Sequence, residues 1–335
     1  MKKTYNQVRQ LLLFSLTAVV LLVSACKKDN DAPTPELETI TPGQGSGGDV
    51  LILTGSGLSD MRTIVFDKNN VPASFTSTLN TNNSLVFRVP DTAFGGPQNI
   101  LFTNSAGKQL SVPFNVVALP TISTAFPTDF ETGTTITITG NNLDDVTKVV
   151  LDGTTVEATI VSKSRKELVI KMPATTITRA KLKITNSSGD RLTDMEFVNV
   201  AQAFGLFKDD FGMDNWSWGG DFTAVSENAV TGTRSLKAAY TGSWGGLSLH
   251  SDAGVSITGY KYITFWAKGA DVDRQVDLKI NWGPSRTFTI PAGVWTYYRV
   301  TIEGFLTGIT QINDFVLQIH DDGKTIYYDN ILLVK

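Results

Sequence analysis

The groups in this chain of 335 residues that could do chemistry are unevenly spread. All six Trp, both His and seven of the eight Tyr fall within residues 204–335. Flat rings beside amide, imidazole, ammonium and hydroxyl groups suit recognition: the rings stack on apolar surfaces and the polar groups hydrogen-bond. They do not suit catalysis. Acid–base hydrolysis needs two facing carboxylates, one with a raised pKa, yet Glu in this segment is limited to Glu227 and Glu303, each near a turn. No Gly-x-Ser-x-Gly elbow, phosphate loop or His pair at metal spacing occurs. Cys26 is the only cysteine, which removes disulfide frameworks and a Cys/His pair. A net charge of −3 without a large basic block gives nucleic acid no electrostatic footprint. The expectation is a binding protein with no catalytic residue, no required cofactor and no nucleic-acid partner.

Which elements hold these groups follows from hydropathy. With 41% hydrophobic and 18% charged residues the chain is ordinary for a folded protein. No dozen-residue stretch repeats apolar positions at helical spacing. Short alternating runs cut by Gly, Asn and Pro give β-sandwiches instead. In residues 204–335 such runs include Leu247–Ser251, Val276–Trp282, Thr287–Ile290 and Phe315–His320, among about ten strands that imply a two-sheet jelly roll. Alternation turns Leu247, Leu249, Val276, Leu278, Ile280, Phe315, Leu317 and Ile319 inward. The opposite face then carries His250, Lys279, Asn281, Gln318 and His320, with Trp244 at its edge and Asp277 as its carboxylate. Trp282 ends its strand before Gly283-Pro284. Trp216 and Trp218 lie on a Gly-rich loop that could rim the face, and Trp218 is chosen with Trp244 and Trp282 as a stacking ring. His250 and His320 also read as ordinary half-buried imidazoles. Trp295 reads as structural, and Trp266, on the other sheet, as a cover of its convex side or a domain contact. Rings that stack on C–H faces and polar groups that meet hydroxyls suit a polysaccharide, bound at about micromolar to millimolar strength.

Ahead of this segment stands a repeat of about eighty-five residues. Val50 to Leu58 matches Thr135 to Leu143, Leu85–Pro90 matches Leu168–Pro173, and Thr103–Gly107 matches Thr185–Gly189. The Gly of Thr-Gly-x-x-Leu suits a bulge or bend needing a left-handed residue, and Asn-x-x-Gly suits a hairpin. Neither repeat holds Trp, His or Tyr, so both read as spacers. The N-terminus has Lys2, Lys3 and Arg9 before an apolar run, Leu11 to Val23, too short to span a bilayer comfortably. The resulting division is a signal peptide over 1–25, a lipidated Cys26 and tether over 26–36, repeats over 37–118 and 119–201, and the aromatic domain over 204–335.

Several motifs carry resemblances. Val23-Ser24-Ala25-Cys26 resembles the bacterial lipobox, which implies lipid on Cys26 and an outer-membrane anchor. Lys27-Lys28-Asp29-Asn30-Asp31 is similar to the surface-export tract of Bacteroidetes lipoproteins, which implies a protein facing the cell exterior. The repeats resemble IPT/TIG domains, small immunoglobulin-like sandwiches. Asp209-Asp210-Phe211, Gly232 to Lys237, Phe265 to Gly269, Trp295 to Tyr298 and Tyr328 to Ile331 follow the order of motifs in jelly-roll carbohydrate-binding modules. That family often holds a structural calcium near its chain ends, here through Asp209, Asp210 and Asp329, although Gly212 stands where a further acidic residue is common. The whole layout resembles a surface glycan-binding lipoprotein of a polysaccharide-utilisation system. Such a protein would take a β-glucan or xyloglucan and hand it to an outer-membrane transporter. A surface adhesin or structural lipoprotein meeting a protein partner is the alternative.

Overall fold

The computed structural model describes residues 33–320 and 323–335. The apolar leader, Cys26 and the charged tract behind it lie outside the described residues. The chain divides into two compact units, ending at Val117 and beginning at Ala118. Both are built almost wholly of β-strands.

The first unit is an immunoglobulin-like sandwich. A three-stranded sheet (Glu36–Thr41, Val50–Ser56, Ser84–Arg88) faces a five-stranded one running Gln44–Gly45, Gln109–Val116, Gly96–Asn104, Met61–Phe66, Val71–Ala73. Strict alternation makes the core. Leu51 and Leu53 are fully buried beside exposed Val50 and Ile52, and Phe66, Phe87, Phe102 and Phe114 fill the interior.

The second unit contains two sandwiches. Its first part repeats the same plan, with sheets built on Thr121–Phe126, Thr135–Asn141, Glu167–Lys171 and on Lys148–Leu151, Leu182–Asn186, Gly189–Leu192. The repeat glycines act differently from expectation. Gly55 and Gly140 do sit at register shifts against the neighbouring strand, but their φ is not left-handed. Any side chain there would strike the carbonyl of Glu36 or Thr121, so close backbone approach selects the glycine. The left-handed residue comes two positions later, Gly57 in one repeat and Asn142 in the other.

The last part is a jelly roll. One sheet runs Gly220–Val225, Ser235–Tyr240, Thr325–Val334, Tyr262–Gly269, Thr296–Thr301, with Phe204–Phe207 added along Thr325–Val334. The other runs Asp214–Asn215, Gly246–Ser256, Gln311–Ile319, Arg274–Ile280, Arg286–Ile290. All eight residues expected to point inward are at most 1% exposed. The strand expected over Val276–Trp282 stops at Ile280, because Asn281 and Trp282 both adopt left-handed backbone. The two sandwiches of this unit share an apolar seam of Val198, Val200, Leu332 and Val334. Trp266 belongs to that junction: it is 4% exposed and meets Phe126 edge-on, with ring centres 5.5 Å apart.

Candidate functional site

The outer face of the five-stranded sheet is set by register. Gly246, Gln318, Asp277 and Thr287 stand in one row across four strands. Ser248, Val316 and Lys279 form the next row, and His250 with Asp314 a third. Ser248 and Val316 have outward parity yet are buried. The loop ahead of the sheet accounts for this: Trp216 and Trp218 donate their amides to the Ser248 and Gly246 carbonyls, and the Ser217 hydroxyl accepts the Ser248 amide.

Four indoles gather here. Trp216, Trp244 and Trp282 are 58%, 57% and 57% exposed, whereas Trp218 is half-buried. Trp218 lies over Gly246, where any side chain would collide with its ring. It tilts against Trp282 at 5.5 Å, and its N–H donates to the Trp244 carbonyl at 2.9 Å. It is therefore floor as much as contact surface. Trp244 leans on His320, with ring centres 5.2 Å apart. Trp244 and Trp282 take φ of 65° and 58°. A bulky residue is a genuine outlier there, at a cost of about 1–3 kcal/mol of backbone strain.

The polar residues chosen from sequence share this face, but most are engaged. Lys279 donates to Gln318 at 2.8 Å, and Gln318 donates to the Trp244 carbonyl at 2.9 Å, so the pair steadies the Trp244 loop. Asn281 is an internal clamp. Its oxygen accepts the Asn313 and Asp314 amides and its nitrogen donates to the Gln311 carbonyl, which fixes the turn presenting Trp282. His320 Nε2 lies 2.8 Å from Asp277, whose other oxygen accepts the Thr287 hydroxyl at 2.6 Å. Burial pushes the Asp277 carboxyl up, but Thr287 and His320 outweigh it and hold the group below its ordinary range.

His250 is covered. Trp216 stacks flat on it, with centroids 3.6 Å apart and planes 13° off parallel. The carboxylates of Asp252 at 3.0 Å and Asp314 at 2.8 Å accept hydrogen bonds from the imidazole and raise it above its ordinary pKa. Held by two carboxylates and stacked flat against the indole, His250 serves as the pedestal of Trp216. Sequence reasoning offered Trp216 only as a rim residue and did not choose it. The signal was present, since Asn-Trp-Ser-Trp places Trp216 and Trp218 on one side of an extended segment. Asp277 is also not the only carboxylate on this face, because Asp252 and Asp314 join it through His250.

Asp209, Asp210 and Asp329 do not form a three-carboxylate set. Among the described residues no group of three or more His, Cys, Asp or Glu is placed to hold a metal. Asp210 turns outward toward Arg234, 4.0 Å away. Asp209 accepts the Thr233 and Arg234 amides on one oxygen, while the two oxygens of Asp329 accept those of Val230 and Asn330. Three of these four carboxylate oxygens thus face N–H donors. A hard cation needs free oxygen ligands, and the trio as arranged does not fit calcium. Burial instead pushes Asp329 up to about 7. Treatment with EDTA is expected to leave the melting temperature unchanged; a drop of several degrees reversed by Ca²⁺ would contradict this.

Comparisons with known proteins bear on fold. Residues 120–198 match the family model described as IPT/TIG domain. No curated protein matches the chain in sequence. Among solved structures, the surface glycan-binding protein PbSGBP-B from Prevotella bryantii is similar at 13% identity and a TM-score of 0.56, over 90% of this chain and 99% of that one. SGBP-B from a complex xyloglucan utilization locus in Bacteroides uniformis aligns over 90% and 100%, at 18% identity and a TM-score of 0.46. Residues 120–198 are an IPT/TIG domain, and the chain as a whole carries the fold of the Prevotella bryantii surface glycan-binding protein.

Proposed function

We propose that this chain is a non-catalytic glycan-binding protein whose C-terminal jelly roll lays Trp216, Trp244 and Trp282 against the apolar faces of a long polysaccharide. The observation that carries this reading is that three indoles, each more than half exposed, share one sheet face, two of them on left-handed backbone. Large apolar rings held in water at the expense of backbone strain are placed for a partner. An open row of rings suits an extended β-linked chain such as a β-glucan or xyloglucan.

Hydrolysis has no support on this face. Asp252 and Asp314 are bonded to His250, and Asp277 is paired with His320 and held low, opposite to what a general acid requires. The strongly raised carboxyls, Asp129 and Asp329, are fully buried elsewhere. In the same reading the IPT/TIG repeats are spacers, and lipid on Cys26 anchors the chain to the outer membrane facing the exterior. The bound glycan would then be passed to uptake and degradation machinery.

Native electrophoresis of the full chain through gels containing soluble β-glucans, xyloglucan, mannans and xylans tests the reading. Retarded mobility in at least one β-linked glucan or xyloglucan gel is expected. Unshifted mobility across the panel would overturn it and favour a protein partner for the aromatic face.

A further inference from the structure

Each of the three exposed indoles is backed by a second ring. Between ring centres, Trp216 lies 3.6 Å from His250, Trp244 lies 5.2 Å from His320 and Trp282 lies 5.5 Å from Trp218. The backing rings are themselves held: His250 by Asp252 and Asp314, His320 beside Asp277, and Trp218 by its N–H on the Trp244 carbonyl. A ring supported on one face offers the other to a ligand, and the spacing between the three free faces is set before anything binds.

Strand register gives that spacing. Gly246 pairs with Gln318 and His250 with Asp314 on neighbouring antiparallel strands. Trp244 stands two positions before Gly246 and leans on His320, two positions beyond Gln318, so these two rings mark one end of the strand pair. Trp216, flat on His250, marks the other. His320 is six residues on from Asp314, which separates the two ends by about 20 Å at the rise of extended chain. Trp218 covers Gly246 with its ring and holds Trp282 between those ends. The free faces thus follow one another over a length that a β-linked disaccharide cannot cover and that about four hexose residues fill.

We infer that the platform is a row of about four sugar subsites, with Trp244 at one end, Trp282 in the middle and Trp216 at the other end. This rests on the glycan-binding reading above and adds to it the length of backbone that is recognised and the ring that closes the row. A fragment of two or three residues meets two rings at most. A longer one gains the third, and because each ring is backed separately that gain is a step of about tenfold or more in affinity. Once all three rings are covered, further residues find no ring to stack on.

The test takes the β-glucan or xyloglucan that retards the full chain in the gels, cuts it with an endo-glucanase and sorts the fragments by backbone length from two to eight residues. Affinity is read by titrating the intrinsic tryptophan fluorescence. It is expected to rise with length and level off at four to six residues. Trp216→Ala should leave fragments of two or three residues within twofold and weaken those of five or more at least tenfold. Trp216→Tyr, which keeps a ring on His250, should restore most of that loss, so a folding defect in the alanine chain is told apart from a lost subsite. Levelling at three residues or fewer, or a rise that continues beyond six, would overturn the row. So would a Trp216→Ala chain that weakens short and long fragments alike, or neither. All these outcomes leave the glycan-binding reading standing, because the fragments come from a polysaccharide that already binds; that reading fails only if no gel retards the chain.

Discussion

Replacing Trp282 by alanine is expected to bring mobility through a retarding glycan gel back to that in a blank gel, and Trp244→Ala to do the same. A stacked ring contributes about 1 kcal/mol beyond the area it removes from water, and the area of an indole half covered by sugar adds a similar or larger amount. Losing about 2–3 kcal/mol weakens binding roughly 30- to 150-fold, enough to erase retardation for a micromolar-to-millimolar binder. Because each side chain is more than half exposed in the free protein, truncation removes little buried surface. The melting temperature should therefore hold.

Glycine at these two positions separates this account from a purely structural role. Both residues sit at positive φ, where glycine pays no penalty for its conformation. Trp282→Gly and Trp244→Gly should lose binding as fully as the alanine variants while melting about 2–4 °C above them, the shift for about 1 kcal/mol of relieved strain. Trp218→Ala should behave oppositely and lower the melting temperature, since that ring covers Gly246 and braces Trp282. Retained retardation in the Trp282 and Trp244 variants would sink the assignment of this face.

Much of this arrangement is legible in the chain because strand alternation has a period of two. Leu247, Leu249, Val276, Leu278, Ile280, Phe315, Leu317 and Ile319 pack inward as their parity requires, so His250, Lys279, Gln318 and His320 reach the outer face together. Parity says nothing about what happens across strands or beyond their ends. Asp277 pairs with His320, and Asp314 with His250, only once the register of three strands is fixed. Asn281 has outward parity, yet a turn at the strand end commits its side chain to three backbone hydrogen bonds. Trp216 matters because it caps His250, a contact made by a loop whose path no periodicity encodes. The same limit applies to Thr-Gly-x-x-Leu. Its glycine is dictated by the carbonyl of a neighbouring strand, so the motif reads as a turn signal when it records a close approach. Asp329 likewise looks like a ligand in its motif, and becomes an amide acceptor only when the 228–234 loop folds over it.

The junction carries the second large effect, because Asp129→Asn is expected to flatten the dependence of stability on pH. Asp129 lies at the junction of the two sandwiches in the second unit, fully buried, with the Trp266 and Asn330 side chains facing its carboxyl. Burial pushes it up to about 8 from its ordinary 3.8. In the unfolded chain it ionises near the ordinary value, so the folded state holds a proton that the unfolded state has released. Stability contributed this way is present below about pH 4 and is lost as pH rises through the folded value, by up to about 1.4 kcal/mol per pH unit. Asparagine has the same shape and no charge to develop. Any fixed offset from its amide is independent of pH, so the slope is the diagnostic quantity. Relative to the parent, the variant's melting temperature should gain nothing between pH 3 and 4 and rise progressively toward pH 8. The gain there is that slope accumulated over the interval and should amount to several degrees or more. Asp329, raised to about 7, shares the window and leaves a residual slope in the variant. Parallel melting curves for parent and variant from pH 4 to 8 would show that Asp129 is ionised in the fold, and the carboxyl at this junction would then need a cation or a further donor to hold it.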